Sequence, residues 1–411
     1  MHPLLSRLSG LAALAAWTVC LGASVIAGWE DHLARAGSRH ASEIAMRLAP
    51  GDARNYTTLA SLDGADRTRL LQREVAVSPF DSKAWIELGL DAELQGARSR
   101  AERCLLQAAR VDKTYAPRWS LVNFYFRGNS REKFWPWLHG AARMAYGDPR
   151  PLARLAWNLA EDAPEAVTAL RDRPAVLESY ISLLLDNQRL GPAETAIGTL
   201  LDTAGRDAAK PVSFYCDRFL DAGRPETALR LWNRLAARRW IPFAPLDPER
   251  GPHLTNGDFA SDPLSRGFDW RPQGVEGVRI VWQPARGGLR FAFSGEQPEY
   301  CMVLLQRVAL APGRRWRLAF EYRTQDLPPA TGLRWRTVGA EWQAPASEDW
   351  RMAAFEFATP AGASVAPLVL AYERAPGTVR TAGSFWLRRV SLEDAGPGTG
   401  THTGSRPPAL P

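Results

Sequence analysis

The amino-acid sequence predicts a multidomain α + β protein with an N-terminal transmembrane helix, an array of helical hairpins and a C-terminal antiparallel β-sandwich. Three observations predict this fold class. Residues 8–29 form an uncharged, largely apolar run. Trp85 and Trp119 lie 34 residues apart, and each begins an amphipathic segment, which is typical of a helical repeat. From Gly288 onward, apolar residues alternate with a period near two, as in strands with one buried face.

Length and charge limit the classes of function. At 411 residues the chain is too long for one ordinary core, since a domain takes about 150 residues. The formal net charge is +7, but the basic residues are scattered among acids without a basic run of five or more. A surface that follows a phosphate backbone needs clustered positive charge. We therefore expect no nucleic-acid partner.

Composition shifts along the chain predict four segments. Residues 1–34 contain the N-terminal tail and the anchor, residues 35–245 the helical repeats, and residues 246–394 the sandwich. Prolines in the stretch RRWIPFAPLDPERGP mark the linker between repeats and sandwich. Residues 395–411 are rich in glycine and proline, and we predict that this tail is disordered.

The apolar run at residues 8–29 is predicted to contact the membrane as an anchor. Its 22 residues give roughly 33 Å of helix, and a hydrocarbon core is about 30 Å thick. Arg7 precedes the run and Glu30 and Asp31 follow it, which favours a cytoplasmic N-terminus. We expect a single-pass protein of the bacterial inner membrane with the bulk of the chain in the periplasm. The alternative is a signal peptide, cleaved near Ala27 and Gly28, and a secreted protein.

The helical segment repeats a pattern of small and large apolar residues. Small residues allow two helices to approach closely, and large ones fill the groove between neighbouring hairpins. The first clear copy contains Trp85, Leu88, Gly89, Ala92, Ala101, Leu105 and Ala108. This pattern resembles tetratricopeptide (TPR) repeats, with two good copies and three or four degenerate ones. The resemblance implies an α-solenoid that binds peptides or protein partners; the alternative is a spacer that lifts the C-terminal domain off the membrane.

Seven short alternating segments follow over about 140 residues. In RRWRLAFEYRT, Trp316, Leu318 and Phe320 share one face while Arg315 and Arg317 lie on the other. Seven or more antiparallel strands over this length argue for a β-sandwich or jelly roll.

The order of the segments LTNGDF, GFDW, LQRVALAPGRRWRLAFEYR, EDWRMAAFEFATP and SFWLRRVSLED resembles jelly-roll carbohydrate-binding modules, a galactose-binding-like fold. The resemblance implies glycan binding, with aromatic rings stacked on sugar faces and polar side chains bonded to hydroxyls. The alternative is that the rings belong to the core. The candidate ligand-binding residues are Trp270, Trp282, Trp335 and Trp342, with Tyr300, Arg334 and Arg336 as polar neighbours.

Many modules of this fold carry a structural calcium, and the resemblance makes Asp258 with Glu393 or Asp394 its candidate ligands. This sequence has Arg388 and Arg389 where the family has an acidic pair. Two guanidinium groups would repel a dication, so we expect no cofactor and keep calcium as the alternative.

Three aspartates in LTNGDFASDPLSRGFDW, Asp258, Asp262 and Asp269, raise the question of catalysis. Glycoside hydrolysis needs two carboxylates across a cleft, but aspartates in loops before strands usually cap turns. The sequence contains no nucleophile, phosphate-loop or metalloprotease motif. We predict a non-enzymatic scaffold or adaptor in cell-envelope or exopolysaccharide assembly. The alternatives are a pure protein–protein assembly factor whose sandwich does not bind sugar and, less favoured, a glycan-active enzyme.

Overall fold

The structure, a computed structural model, describes residues 3–35, 38–62, 66–283 and 288–397. It divides into two compact units, Met1–Pro192 and Ala193–Pro411. Residues 398–411 of the predicted disordered tail lie outside the described residues, while residues 395–397 continue the last strand.

The described part of the first unit consists of α-helices. They are α1 (Pro3–Arg35), α2 (Arg39–Leu48), α3 (Ala53–Leu62), α4 (Arg67–Val77), α5 (Ser82–Leu94), α6 (Arg98–Val111), α7 (Tyr115–Arg127), α8 (Arg131–Met144), α9 (Arg150–Leu159), α10 (Pro164–Leu170) and α11 (Pro174–Asp186).

Consecutive helices pack as hairpins, as the repeat pattern predicts. The pairs α3 with α4, α5 with α6 and α7 with α8 are in contact. In the α5–α6 hairpin, Ala101, Leu105 and Ala108 are fully buried. A Cβ atom at Gly89 would lie 2.9 Å from Leu105 Cδ2, closer than side chains normally approach. Glycine is therefore what lets these two helices meet at this distance.

Helix α1 contains the run that we expected to cross a membrane. Among the residues that the structure describes, no helix combines the length and the apolar character that a membrane crossing needs. The transmembrane helix predicted at residues 8–29 is therefore not supported. Polar and small residues such as Thr18, Gly22 and Ser24 interrupt the run and lower its mean hydropathy.

The second unit combines helices with strands. The helical part contains α12 (Leu190–Thr203), which begins three residues before the unit, a 3₁₀ turn (Gly205–Ala208), α13 (Ala209–Asp221) and α14 (Pro225–Ala237). The strands are β1 (Arg271–Pro272), β2 (Val278–Gln283), β3 (Gly288–Ser294), β4 (Tyr300–Ala309), β5 (Arg314–Gln325), β6 (Ala330–Thr337), β7 (Ala340–Pro345), β8 (Arg351–Ala358), β9 (Val365–Glu373) and β10 (Ala382–Pro397).

The strands form two five-stranded antiparallel sheets. The front sheet has the order β1-β4-β9-β6-β7, and the back sheet has the order β2-β3-β10-β5-β8. Their inward side chains form one core, in which Trp316, Phe320, Tyr322, Trp335 and Phe385 are almost fully buried. The predicted antiparallel β-sandwich is confirmed, and the seven predicted strands correspond to β3–β6 and β8–β10.

The segment before β1 closes one end of this core. Phe259 and Trp270 are buried within it, and their rings lie 5.5 Å apart. Gly257 lies against β10, because its carbonyl accepts a hydrogen bond of 2.7 Å from the Val390 amide. A Cβ at Gly257 would lie 2.0 Å from the Val390 carbonyl oxygen, so this contact needs glycine. The aspartate-rich segment is therefore a structural cover of the sandwich.

Candidate functional site

The outward surface of the front sheet carries a cluster of charged side chains. Strand β6 alternates strictly, with Leu333 and Trp335 buried in the core and Arg334 and Arg336 on the opposite side. Neighbouring strands β7 and β9 place Glu341 and Glu373 beside these arginines. Alternation within a strand sends the charged residues outward together, because successive side chains point to opposite faces.

These four side chains form a closed network of ion pairs. Arg334 Nη1 donates to Glu341 Oε1 over 2.6 Å, and Arg336 Nε donates to Glu341 Oε2 over 2.8 Å. Arg336 also donates to Glu373 Oε2 over 2.5 Å. Its guanidinium carbon lies 5.4 Å from the centre of the Tyr300 ring, on strand β4. We call Tyr300, Arg334, Arg336, Glu341 and Glu373 the polar face.

The polar face has balanced charge. Partial burial disfavours ionisation of Glu341, but its hydrogen bond with Arg336 and the charges of Arg334 and Arg336 outweigh burial and lower the pKa of this carboxyl. An acid catalyst needs the opposite, a carboxyl with a raised pKa. Glu341 is therefore held as a carboxylate within the ion-pair network.

A cleft of about 430 Å³ adjoins the polar face. It lies at the ends of β6, β7 and β9, and its lining includes Gly332, Arg334, Gln343 and Glu373. Gly332 has a φ of 73°, and a Cβ there would lie 2.7 Å from the Glu373 carbonyl oxygen. Glycine is thus required at the wall of the cleft.

The structure brings together three of the seven predicted ligand-binding residues. Tyr300, Arg334 and Arg336 share the polar face, and Tyr300 is 50% exposed. The predicted platforms Trp270 and Trp335 are completely buried in the core, where their rings lie 6.1 Å apart. Neither ring can meet a surface ligand in this structure.

The other two tryptophans are half-buried at the margin of the core. Trp282 Nε1 donates to the Phe259 carbonyl oxygen over 2.8 Å. Trp342 packs edge-on against Phe320 and Tyr322, with ring centres 5.1 Å and 5.6 Å away. Both rings pack against the core from inward strand positions, so Tyr300 is the aromatic residue of the polar face.

Sequence reasoning missed Glu341, Glu373 and Gln343. A signal for the two glutamates was present in the strand pattern, since Glu341 and Glu373 occupy positions of the same alternation that carries outward arginines. Opposite charges at cross-strand positions stabilise a sheet surface. The register between β6, β7 and β9, which sequence alone does not specify, is what brings these charges together.

The candidate calcium ligands share a pocket but do not form a ligand set. Asp258, Glu393 and Asp394 line one open pocket of about 590 Å³. Asp394 is already paired with Arg314 and accepts a hydrogen bond of 2.8 Å from the Gly396 amide. Within the described ranges, no three His, Cys, Asp or Glu residues are placed to hold a metal ion. The residues therefore do not fit calcium, and the expectation that the chain has no cofactor stays a prediction.

The three aspartates of the opening segment do not converge on a catalytic site. Asp258 and Asp262 are exposed, whereas Asp269 is completely buried. Its Oδ2 accepts a hydrogen bond of 2.6 Å from the Leu264 amide. Burial raises the pKa of Asp269 to about 7, against the hydrogen bonds that favour its charged form. Asp269 thus stabilises a loop instead of facing a substrate.

Helix α13 covers the front sheet at the end away from the polar face, beside strands β1 and β4. Asp217 pairs with Arg271 on β1 and accepts a hydrogen bond of 2.7 Å from the Gly267 amide. One turn later, Asp221 pairs with Arg307 on β4 over 2.6 Å. The helix therefore occupies the β1 side of the front sheet, while the polar face at Tyr300 remains exposed.

Comparison with known proteins finds solved structures that are similar to parts of the chain. No protein-family model matches the chain, and no curated protein matches it. A carbohydrate-binding module of family 4 has 14% identity and a TM-score of 0.28, over 34% of this chain and 99% of that chain. A family 61 module solved with β-1,4-galactotriose has 15% identity and a TM-score of 0.24, over 34% of this chain and 97% of that chain.

The helical repeats have neighbours of a second kind. The TPR protein YrrB, described as having an unusual peptide-binding site, has 13% identity and a TM-score of 0.25, over 49% of this chain and 94% of that chain. The structural neighbours therefore include TPR proteins and carbohydrate-binding modules, the two families that the sequence resembles.

Proposed function

We propose that this chain is a non-enzymatic adaptor whose helical repeats bind protein partners and whose sandwich binds a neutral glycan. The observation that carries the proposal is the polar face, an ion-pair network with balanced charge beside the exposed ring of Tyr300. An aromatic ring offers an apolar surface to the C–H face of a sugar. Guanidinium and carboxylate groups held by one another offer donors and acceptors to its hydroxyls without further ordering.

The helical hairpins of the first unit carry the protein-binding half of the proposal. Stacked hairpins present extended surfaces that repeat proteins use to bind partners. Several large apolar side chains are exposed on this unit, among them Phe80, Leu94 and Tyr146. A role in cell-envelope or exopolysaccharide assembly, with the bulk of the chain in the periplasm, stays a prediction that fractionation of the producing cells would test.

A pure protein–protein assembly factor is the second candidate. It is favoured by one observation, namely that none of the four predicted tryptophan platforms is exposed on the polar face. Tyr300 then leaves the polar face with one exposed aromatic ring for stacking. This candidate predicts that the sandwich binds no glycan.

Affinity gel electrophoresis of the full chain separates the two candidates. We expect at least one gel among those containing xylan, β-glucan, galactan or mannan to retard the wild-type chain. Arg336→Ala should weaken that binding at least about tenfold, since hydrogen bonds from a charged group contribute about 1.5–3 kcal/mol each. The matched control is Arg279→Ala, which removes an exposed arginine from the back sheet. Normal mobility in every gel would favour the assembly factor.

A further inference from the structure

A pocket in the first unit lies outside the glycan proposal. It has a volume of about 570 Å³ and is formed by α2, α3 and α4. Buried Tyr56 and Leu59 and half-buried Met46 and Leu70 line its apolar part. The Tyr56 hydroxyl donates to the Pro50 carbonyl oxygen over 2.9 Å, which fixes the orientation of this ring.

Three exposed arginines surround this apolar part. Arg69 and Arg73 are four residues apart on α4 and so share a helix face, and Arg47 lies in the last turn of α2. In the described part of the chain, none of the three side chains has a hydrogen-bond or ion-pair partner. We call Arg47, Arg69 and Arg73 the arginine rim.

Among the residues that the structure describes, the carboxylates near the arginine rim do not neutralise it. Glu43 is engaged by Arg39, with 3.0 Å between Arg39 Nε and Glu43 Oε1. Asp66 is one negative charge against the three arginines, and it makes no capping hydrogen bond with α4. The described lining of the pocket therefore combines an apolar interior with an excess of positive charge.

We infer that this pocket binds a short acidic peptide segment, with an apolar side chain in the interior and carboxylates on the arginine rim. Arginine pairs with carboxylates through two parallel hydrogen bonds, which gives both strength and direction. A volume of about 570 Å³ lies within the usual range for binding pockets, roughly 300–1,000 Å³. The inference deepens the protein-binding half of the proposed function and rests on it.

A nucleic acid fits the same pocket less well. Phosphate backbones need a continuous track of positive charge, but the basic neighbours of the rim are neutralised. Arg54 pairs with Asp52 over 2.6 Å, and Arg67 lies 3.7 Å from both Asp91 and Glu87. The rim is therefore an isolated patch, and its apolar interior matches a side chain better than a sugar–phosphate chain.

Fluorescence anisotropy on the full chain tests the inference. The probes are labelled hexapeptides in which Asp and Glu surround one Leu, Met or Phe, each paired with a peptide that has Asn and Gln instead. The variant Arg69→Glu with Arg73→Glu reverses two exposed charges. The control Arg103→Glu with Arg110→Glu makes the same charge change at exposed positions of α6.

We expect acidic peptides to bind the wild type at least tenfold more tightly than their amide counterparts. The rim variant should lose at least tenfold in affinity, and the control variant less than threefold. Equal losses in the two variants, no binding of any acidic peptide, or displacement of the peptide by an oligonucleotide at equal concentration would overturn the inference. If the same proteins co-purify with the wild type and with the rim variant, the repeats bind those partners elsewhere. The proposed function would then stand without this pocket.

Discussion

Asp269 should make the stability of the sandwich depend on pH. Its pKa is raised by burial from 3.8 to about 7 in the folded chain, so between these values only the unfolded chain releases this proton. The free energy of unfolding should therefore fall as the pH rises from about 4 to 7 and level off above, by up to roughly 4 kcal/mol from this group. Asp269→Asn removes the titration and keeps an acceptor for the Leu264 amide. Chemical denaturation at several pH values measures the slope.

The matched control for this prediction is Asp258→Asn, an exposed aspartate of the same segment. It should retain the fall in stability between pH 4 and 7 that Asp269→Asn reduces. If the Asp269→Asn chain lost stability over this range as steeply as the wild type, burial of a protonated carboxyl would be the wrong account of this loop.

At the scale of single residues, strand alternation agrees with some of the predicted ligand-binding residues lying on one face and disagrees with others. Arg334 and Arg336 are separated by Trp335, and neighbouring residues of a strand point to opposite faces. The three side chains therefore cannot all contact one ligand, and Trp335 is the side chain that lies in the core. Trp270 was harder to place, because it lies in a loop segment just before β1, where no period indicates a face.

The contact of helix α13 with the sandwich should contribute strongly to stability. Asp217 and Arg271 are nearly buried, with 9% and 15% of their side chains exposed. Asp217→Asn leaves the Arg271 charge without its partner, and breaking a buried pair costs about 3–5 kcal/mol. We expect a clear decrease in the unfolding temperature, measured by calorimetry.

Asp221→Asn provides the comparison on the same helix. Asp221 also pairs with a sandwich arginine, but 58% of its side chain is exposed. An exposed pair contributes less than about 1 kcal/mol. Similar losses for Asp217→Asn and Asp221→Asn would mean that burial of the first pair has no special role in holding α13 on the sheet.

Elements were predictable where the pattern was long and periodic. The seven predicted strands all have clear alternation, whereas β1 has two residues and includes Pro272. Strands β2 and β7, of six residues each, were also missed. The contact of Asp217 and Trp232 with residues of the 254–271 segment joins positions far apart in sequence. Periodicity carries no information about such contacts, and the domain boundary expected at residues 245 and 246 stays a prediction.

For the whole molecule, the two proposed binding sites belong to different compact units. The pocket with the arginine rim belongs to the first unit, and the polar face belongs to the second. In the adaptor that we propose, a protein partner and a glycan would therefore bind to different units. The repeat spacing and the change of period predicted helical repeats and a sandwich, but the chemistry of each site depends on contacts between elements.

Binding of the full chain to a glycan array tests the account most directly. The comparison is between the wild type, Tyr300→Ala on the polar face and Met352→Ala on the back sheet, where 73% of Met352 is exposed. Stacking on an aromatic ring contributes about 1 kcal/mol, so Tyr300→Ala should weaken binding at least about fivefold. We predict that the wild type binds neutral glycans, that Tyr300→Ala binds them at least about fivefold more weakly and that Met352→Ala retains the wild-type affinity. Wild-type binding that is unchanged by Tyr300→Ala, or the absence of any bound glycan, would contradict the account.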